Sequence, residues 1–143
     1  MIRELRERDI PEILKIERMS FSSPWSEAAF YQELRKYYAL SKVAVLQDKI
    51  IGYICVNLIL DEGHILNLAV HPDFRRQGIA TKLIKDILNA AGGKGCEVFY
   101  LEVRGSNTEA RMFYERLGFR IAGVRKNYYV SPVEDASLMV LRV

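Results

Sequence analysis

Val70-His71-Pro72-Asp73-Phe74-Arg75-Arg76-Gln77-Gly78-Ile79-Ala80 decides how this chain folds. The segment starts as the end of an apolar strand and passes through a short basic loop. It then opens a helix at Gly78, marked by Ile79, Leu83, Ile84, Ile87 and Leu88 on one face. A helix's first turn offers free backbone N–H groups and the positive end of its dipole, and both attract anions. Arg75 and Arg76 can add charge-assisted hydrogen bonds, while Gly78 and Ala80 let a ligand approach the backbone closely. The same spacing also suits a solvated turn that Gly78 merely eases, so on spacing alone phosphate binding and a plain turn both stand.

Working outward from that segment, Ile65 to Val70 is the strand that feeds it, preceded by a turn at Asp61-Glu62-Gly63. Val43 to Leu46 and Ile50 to Leu60 form a β-hairpin about Gln47-Asp48-Lys49. Nearer the start, Ile2 to Leu5 is β-like and Asp9 caps a helix with Pro11 in its first turn. That helix stops near Ser20. Pro24 breaks the next segment, and Ser26 opens a second helix. Downstream, Gly92, Gly93 and Gly95 end the helix that begins at Gly78, and Val98 to Val103 is a strand. Ser106 and Glu109 have capping-box spacing for a helix with Ala110, Phe113, Tyr114 and Leu117 inward. Strands Phe119 to Val124 and Ala136 to Val143 flank a loop holding Tyr128, Tyr129 and Pro132. The order β-α-α-β-β-β-α-β-α-β-β predicts an α/β fold, a single domain over residues 1–143 with a mixed sheet and helices on both faces.

Composition agrees with one core. Of the 143 residues, half are hydrophobic and 27% charged, the balance of a globular protein. A chain of this size buries roughly 70% of its unfolded surface and needs no disulfide or metal to hold its core. The 21 basic and 18 acidic residues leave a net charge of +3, spread along the chain, which does not demand nucleic acid as a partner. Cys55 and Cys96 lack C-x-x-C spacing and read as free, mostly buried thiols. The charged N-terminus has no signal-peptide core, and the longest uncharged stretch, Ile50 to Leu60, is about half of the roughly 20 residues a membrane helix needs. The expectation is a cytoplasmic protein with no membrane partner.

Three further features carry chemistry. Glu102 shares a strand face with Val98 and Tyr100; covered on both sides it would resist ionisation, as a general base working near neutrality requires, whereas at a strand end it would reach water or pair with Arg104. Asn107, Ala110 and Tyr114 fall on one helix face, where Tyr114 suits either a site or a core with its hydroxyl satisfied. His64 and His71 have no acidic or thiol cluster at ligand spacing, so no metal site is expected. Gly92-Gly93-Lys94-Gly95 follows a helix and leads into a strand, the reverse of a phosphate-binding P-loop.

Taken together, the chain resembles the GNAT superfamily of acetyl-coenzyme A (acetyl-CoA) dependent N-acetyltransferases, whose Gln/Arg-x-x-Gly-x-Gly/Ala signature appears as Arg75-Arg76-Gln77-Gly78-Ile79-Ala80. The final Ala80, where Gly is commoner, is permitted. Pro24-Trp25-Ser26, Asn67-Leu68-Ala69-Val70, Leu101-Glu102-Val103-Arg104, Ser106-Asn107, Phe113 to Phe119, Asn127-Tyr128-Tyr129 and Glu134-Asp135-Ala136 are similar to the RimI-type ribosomal-protein alanine N-acetyltransferases and related protein N-terminal acetyltransferases.

The resemblance implies a mostly antiparallel sheet and acetyl-CoA as acetyl donor, with no metal. It places Leu68, Ala69 and Val70 beside the pantetheine arm, with a backbone N–H near Val70 on the thioester carbonyl. Arg75, Arg76, Gln77, Gly78, Ile79, Ala80 and Thr81 would hold the pyrophosphate, and Asn107 would contact the cofactor. It makes Glu102 general base and Tyr114 general acid, with Pro24, Trp25, Tyr128 and Tyr129 walling the acceptor; Trp25 could equally staple the second helix to the core. The implied acceptor is a protein N-terminus, a ribosomal protein among the candidates, attacked directly in a ternary complex by a monomeric enzyme. An α-amine, with a pKa of about 7.7–8.0, is partly neutral at pH 7, whereas a lysine near ~10.4 is neutral in fewer than about one molecule in a thousand. A GNAT enzyme acting on a small-molecule amine and a non-catalytic acetyl-CoA sensor are the alternatives; Glu102 with Tyr114 argues against the sensor, and Tyr128-Tyr129 with Glu134-Asp135 against the small molecule.

Overall fold

The apolar run from Ile50 to Val56 is buried throughout, because its strand lies inside a sheet that is covered on both faces. The computed structural model describes residues 1–143. The elements are β1 (Ile2–Glu4), α1 (Ile10–Ser20), α2 (Glu27–Leu34), β2 (Ala39–Leu46), β3 (Lys49–Ile59) and β4 (Glu62–Val70). They continue as α3 (Ile79–Gly92), β5 (Val98–Arg104), α4 (Thr108–Arg116), β6 (Arg120–Val130) and β7 (Val133–Arg142). This is the predicted order. One seven-stranded sheet runs β1-β2-β3-β4-β5-β7-β6, antiparallel at every neighbour except β4 and β5.

Alternation along the strands sorts side chains into two cores. On one face Leu83, Ile84, Ile87 and Ala91 of α3 pack on Ile54, Val56, Ile65, Phe99, Leu101 and Val103, with Phe113 and Tyr114 of α4 and Leu117 just after it against the same cluster. On the other, Ile10, Ile13, Leu14 and Ile16 of α1 and Phe30 of α2 pack on Val43, Tyr53 and Cys55. Both thiols are free and buried, and burial pushes Cys55 up to about 12.

The parallel pairing is what opens the sheet. β4 and β5 pair only from Glu62↔Val98 to His64↔Tyr100, and beyond that they part. In the same region the β3–β4 register steps from Cys55↔Asn67 to Val56↔Ile65, so Leu66 is an extra residue in β4. Such a bulge bends its strand and strengthens the local twist. The β4 edge from Ile65 to Val70 therefore faces a split with no ladder to β5, and it leads to the start of α3.

Several local expectations are corrected. The hairpin turn is two residues, Gln47 and Asp48, both at positive φ (50° and 64°), and Lys49 already pairs with Leu46. That turn's twist matches the flanking strands, which a three-residue loop would not need. The turn before β4 falls earlier than Asp61-Glu62-Gly63, since Glu62 and Gly63 already lie in β4. Asp9 precedes α1 but its side chain does not cap it. The carboxylate turns back to the Arg6 N–H (2.8 Å) and takes a two-pronged Arg3 pair at 2.7 and 2.9 Å. Asn107, not Ser106, caps α4, accepting from the Ala110 N–H at 3.1 Å, because the Ser106 N–H is drawn to Glu134 at 2.6 Å. Tyr128 and Tyr129 belong to β6, and the loop after them shrinks to Ser131-Pro132.

Candidate active site

The head of the split is made by backbone. Gly78 sits at φ +78° as the residue before α3, a left-handed conformation that a β-branched side chain resists. A Cβ there would meet nothing within 4 Å, so the glycine serves backbone geometry and not close packing. The first bond within the helix runs from the Lys82 N–H to the Gly78 carbonyl (3.0 Å), which leaves the N–H groups of Ile79, Ala80 and Thr81 at an open helix terminus. Arg76 and Gln77 are exposed beside it. Arg75 is already engaged: its Nε donates to the Val70 carbonyl at 3.0 Å and its Nη2 to Ser20 Oγ at 3.1 Å, tying the loop to α1. Leu68, Ala69 and Val70 line β4 below this corner. The result is a slot of free backbone ending in an anion-binding corner, which fits an extended pantetheine arm with its pyrophosphate.

The foot of the split is made by side chains. Glu102 lies on the β5 face opposite the α3 core, with a side chain only 6% exposed. Its Oε1 is 2.7 Å from His64 Nε2 and accepts from the Tyr128 hydroxyl at 3.4 Å, and its Oε2 accepts from Arg125 Nε at 3.1 Å. Arg104 does not pair with it. Arg104 reaches Glu134 (3.3 Å) and the carbonyls of Pro132 (3.0 Å) and Ser131 (3.2 Å), with its guanidinium 4.2 Å over the Tyr129 ring. His64 stacks on Tyr100, with ring centroids 4.3 Å apart and planes 12° from parallel. Burial, with the Tyr129 phenol nearby, holds the Tyr114 hydroxyl well above its ordinary range, so it stays protonated and able to donate. Tyr129 itself is pushed up to about 12 by burial and by Tyr128.

Two walls meet over this foot. Ser23 Oγ in the α1–α2 loop donates to the Ser131 carbonyl at 2.8 Å, joining that loop to the β6–β7 turn. Pro24 is exposed beside it, while Trp25 is half-buried and packs on Phe30 (centroids 5.1 Å), so Trp25 does staple α2. The loop is pinned from below by Glu17, which is buried. Its carboxylate accepts from the Trp25 N–H (2.9 Å), Asn67 Nδ2 (2.7 Å) and the Tyr53 hydroxyl. Asn107 presents its free amide nitrogen at the start of α4, its oxygen being taken by the cap.

Tyr128 is therefore brought onto Glu102, with Tyr129 beside Tyr128 and Tyr114 near Tyr129 on the α3 side of the sheet, and the Gly78 segment stands at the far end of the neighbouring β4. His64, Arg125 and Glu17 were not anticipated as parts of the site. Alternation alone puts His64 and Glu102 each on a face, but only the β4–β5 register makes it the same place. No group of three or more His, Cys, Asp or Glu is arranged to hold a metal ion, and no helix is long and apolar enough to cross a membrane.

The Acetyltransferase (GNAT) family model matches residues 10–119. The chain belongs to the GNAT family. Like its family, it is an acetyl-CoA-dependent N-acetyltransferase. It is 36% identical over 144 residues to the ribosomal protein bS18-alanine N-acetyltransferase of Haemophilus ducreyi, covering 99% of each chain. With the enzyme of that name from Salmonella typhimurium it shares 34% over 137 residues, 94% of this chain and 92% of the relative. The crystal structure of the ribosomal-protein-S18-alanine N-acetyltransferase from Escherichia coli superposes with a TM-score of 0.93 at 33% identity, covering 100% of this chain and 93% of that one. This GNAT chain thus spans 92–99% of the length of those enzymes.

Proposed function

We propose that this GNAT enzyme acetylates the N-terminal α-amine of a protein in the cytoplasm, with an alanine-starting ribosomal protein of the bS18 type as its favoured acceptor. The observation that carries the reading is the split itself. One strand edge connects an anion-binding helix terminus to a buried carboxylate that accepts from the Tyr128 phenol, and the acceptor walls close over the carboxylate end.

When bound, acetyl-CoA supplies a thioester carbonyl activated toward an amine. In this reading the N–H groups at Ile79, Ala80 and Thr81, with Arg76, Gln77 and Gly78, hold its pyrophosphate, and Arg75 fixes the loop that presents them. The free β4 edge at Leu68, Ala69 and Val70 orients the arm, a backbone N–H on that edge polarises the carbonyl, and Asn107 adds a contact through its amide nitrogen. Glu102 provides the base and Tyr114 the acid. Pro24 and Tyr128 border the acceptor directly, and Trp25 and Tyr129 hold those borders in place. Because an α-amine is already partly neutral at pH 7, a modest base suffices, which favours a chain end over a lysine side chain.

The test is thiol release from acetyl-CoA with short peptides beginning with alanine, compared with peptides blocked at the α-amine but carrying lysine. Turnover confined to free α-amines, with alanine preferred, is the expected result. Turnover with the lysine peptide alone would make the enzyme a side-chain acetyltransferase, and silence on all peptides would return the small-molecule reading.

A further inference from the structure

We propose that Glu17 is a positioning residue for the acceptor: its buried carboxyl group bridges the acceptor wall at Trp25 and the strand β4 at Asn67, and so fixes where that wall stands relative to the cofactor edge. This rests on the acetyl-transfer reading above and deepens it.

The wall does not hold itself in place. Residues 21–26 have no regular secondary structure, and Phe21, Ser22, Ser23, Pro24 and Ser26 are exposed. A segment that buries so little opens easily unless something ties it down. Ser23 Oγ donates to the Ser131 carbonyl (2.8 Å), but Ser131 belongs to the opposite wall. The Trp25 ring packs on Phe30, which lies in α2, the helix the segment itself leads into. The remaining tie is through backbone: the Trp25 N–H donates to Glu17 Oε2 at 2.9 Å. Pro24, the exposed border of the acceptor, therefore stands between two anchored residues, and the anchor on its inner side is Glu17.

Glu17 is itself fixed. It lies in the last turn of α1 and is 1% exposed. Its Oε1 accepts from Asn67 Nδ2 at 2.7 Å and from the Tyr53 hydroxyl of β3. Asn67 sits between the bulge residue Leu66 and Leu68, where the free β4 edge begins. One oxygen thus faces the wall and the other the strand. The wall's backbone and β4 are separated by a single planar group with a hydrogen bond on either side, a short and stiff spacer.

That arrangement sets what the position requires. Aspartate keeps the carboxyl group but withdraws it by one methylene, too short to span Trp25 and Asn67 together. Glutamine keeps the length. Its oxygen can accept from the Trp25 N–H while its nitrogen faces an Asn67 amide turned to present its oxygen. Reach is therefore the property at stake. Because the wall touches the body of the acceptor and not the reacting atoms, its displacement should weaken acceptor binding in the ground and transition states alike, which raises KM and spares kcat.

Three measurements test this. The first needs neither a variant nor turnover: hydrogen exchange of the Trp25 amide in the wild type, relative to its intrinsic rate, should be at least about tenfold slower than at Ser22 and Ser23 in the same segment. Exchange as free as theirs would overturn the proposal even if no Glu17 variant folds. The second uses the fact that Trp25 is the chain's one tryptophan, so its emission reports the wall. Glu17→Asp should shift the emission to the red and make it more open to acrylamide quenching, and Glu17→Gln should match wild type. Tyr53→Phe, which removes one donor to Glu17 but leaves the Trp25 and Asn67 links, controls for general loosening of the core and should also match wild type.

The third compares these variants on whichever amine the wild type acetylates. In Glu17→Asp the KM for that amine should rise about tenfold, the scale of one buried hydrogen bond. Its kcat should stay within about threefold and its acetyl-CoA dissociation constant within about twofold of wild type, and the other two variants should keep KM within about threefold. The proposal fails if Glu17→Asp keeps the wild-type emission and KM, or if it loses acetyl-CoA affinity as steeply as affinity for the amine. It fails equally if Glu17→Gln is as impaired as Glu17→Asp, or if Tyr53→Phe reproduces the Glu17→Asp changes. Failure of the wild type to acetylate any peptide α-amine sinks the peptide reading alone, because the exchange and emission of Trp25 still judge Glu17.

Discussion

The two ends of β4 do different work with different materials. At the head, near Val70 and Gly78, the binding groups are backbone N–H groups presented by a glycine at φ +78°, and the conspicuous Arg75 is a brace between Val70 and Ser20. At the foot, side chains from β4, β5 and β6 converge on one buried carboxylate, with Tyr114 of α4 lying near Tyr129 on the α3 side. Holding a cofactor needs many modest, fixed contacts along a chain, which contiguous backbone can supply. Moving protons needs a few groups of matched chemistry within hydrogen-bond reach, which only the sheet can assemble.

The comparison breaks if either end can be damaged without its own signature. The largest effect is expected at the foot. Tyr114→Phe should lower kcat about 100-fold while leaving acetyl-CoA binding intact. Because burial raises the phenol well above its ordinary range, the wild-type enzyme should show no loss of kcat between pH 7 and about pH 10 from Tyr114 ionisation. A limb in that window that disappears in Tyr114→Phe would contradict the assignment. The next effect is at the head. Gly78→Val places a β-branched residue at positive φ, a backbone strain of roughly 1–2 kcal/mol. With no clash to add, acetyl-CoA affinity should fall about tenfold in a calorimetric titration, with kcat at saturation nearly unchanged.

The smallest effect lies outside both ends and serves as their control. Arg3 holds the Asp9 carboxyl below its ordinary range, with the Arg6 N–H assisting. The folded state therefore binds the proton less readily than the unfolded one. The pair contributes stability above the ordinary carboxylate pKa of about 3.9 and loses it as the pH falls through the lowered folded value. Asp9→Asn should cost about 1 kcal/mol at pH 7, read from the urea midpoint, and the gap to wild type should close toward pH 2. Neither acetyl-CoA affinity nor kcat should change.

The same contrast explains what could be read in the sequence. The head was legible because its parts are contiguous: apolar strand, basic loop, glycine and amphipathic helix follow one another, and the order of all eleven strands and helices came from similar local signals. At the foot, Glu102 and Tyr114 could be named, but not the company Glu102 keeps. His64 is 38 residues from Glu102, and Arg125 is 23. Nothing in period-two alternation says that His64 faces Tyr100 in the parallel register. The Leu66 bulge and the loss of pairing beyond His64 are properties of two strands together. The displaced α4 cap has a similar origin: Ser106 and Glu109 fit the local pattern, but Glu134, 28 residues from Ser106, takes the Ser106 N–H.

The most direct test of the division between the two ends is a paired measurement on Glu102→Gln: acetyl-CoA binding by calorimetry, and kcat with an alanine-starting peptide. Acetyl-CoA affinity within about twofold of wild type, with kcat reduced about 100-fold or more and its pH dependence changed, is the predicted result. Weakened acetyl-CoA binding with kcat and its pH profile preserved would show that the carboxylate belongs to the cofactor's hold, and the account of the foot would be wrong.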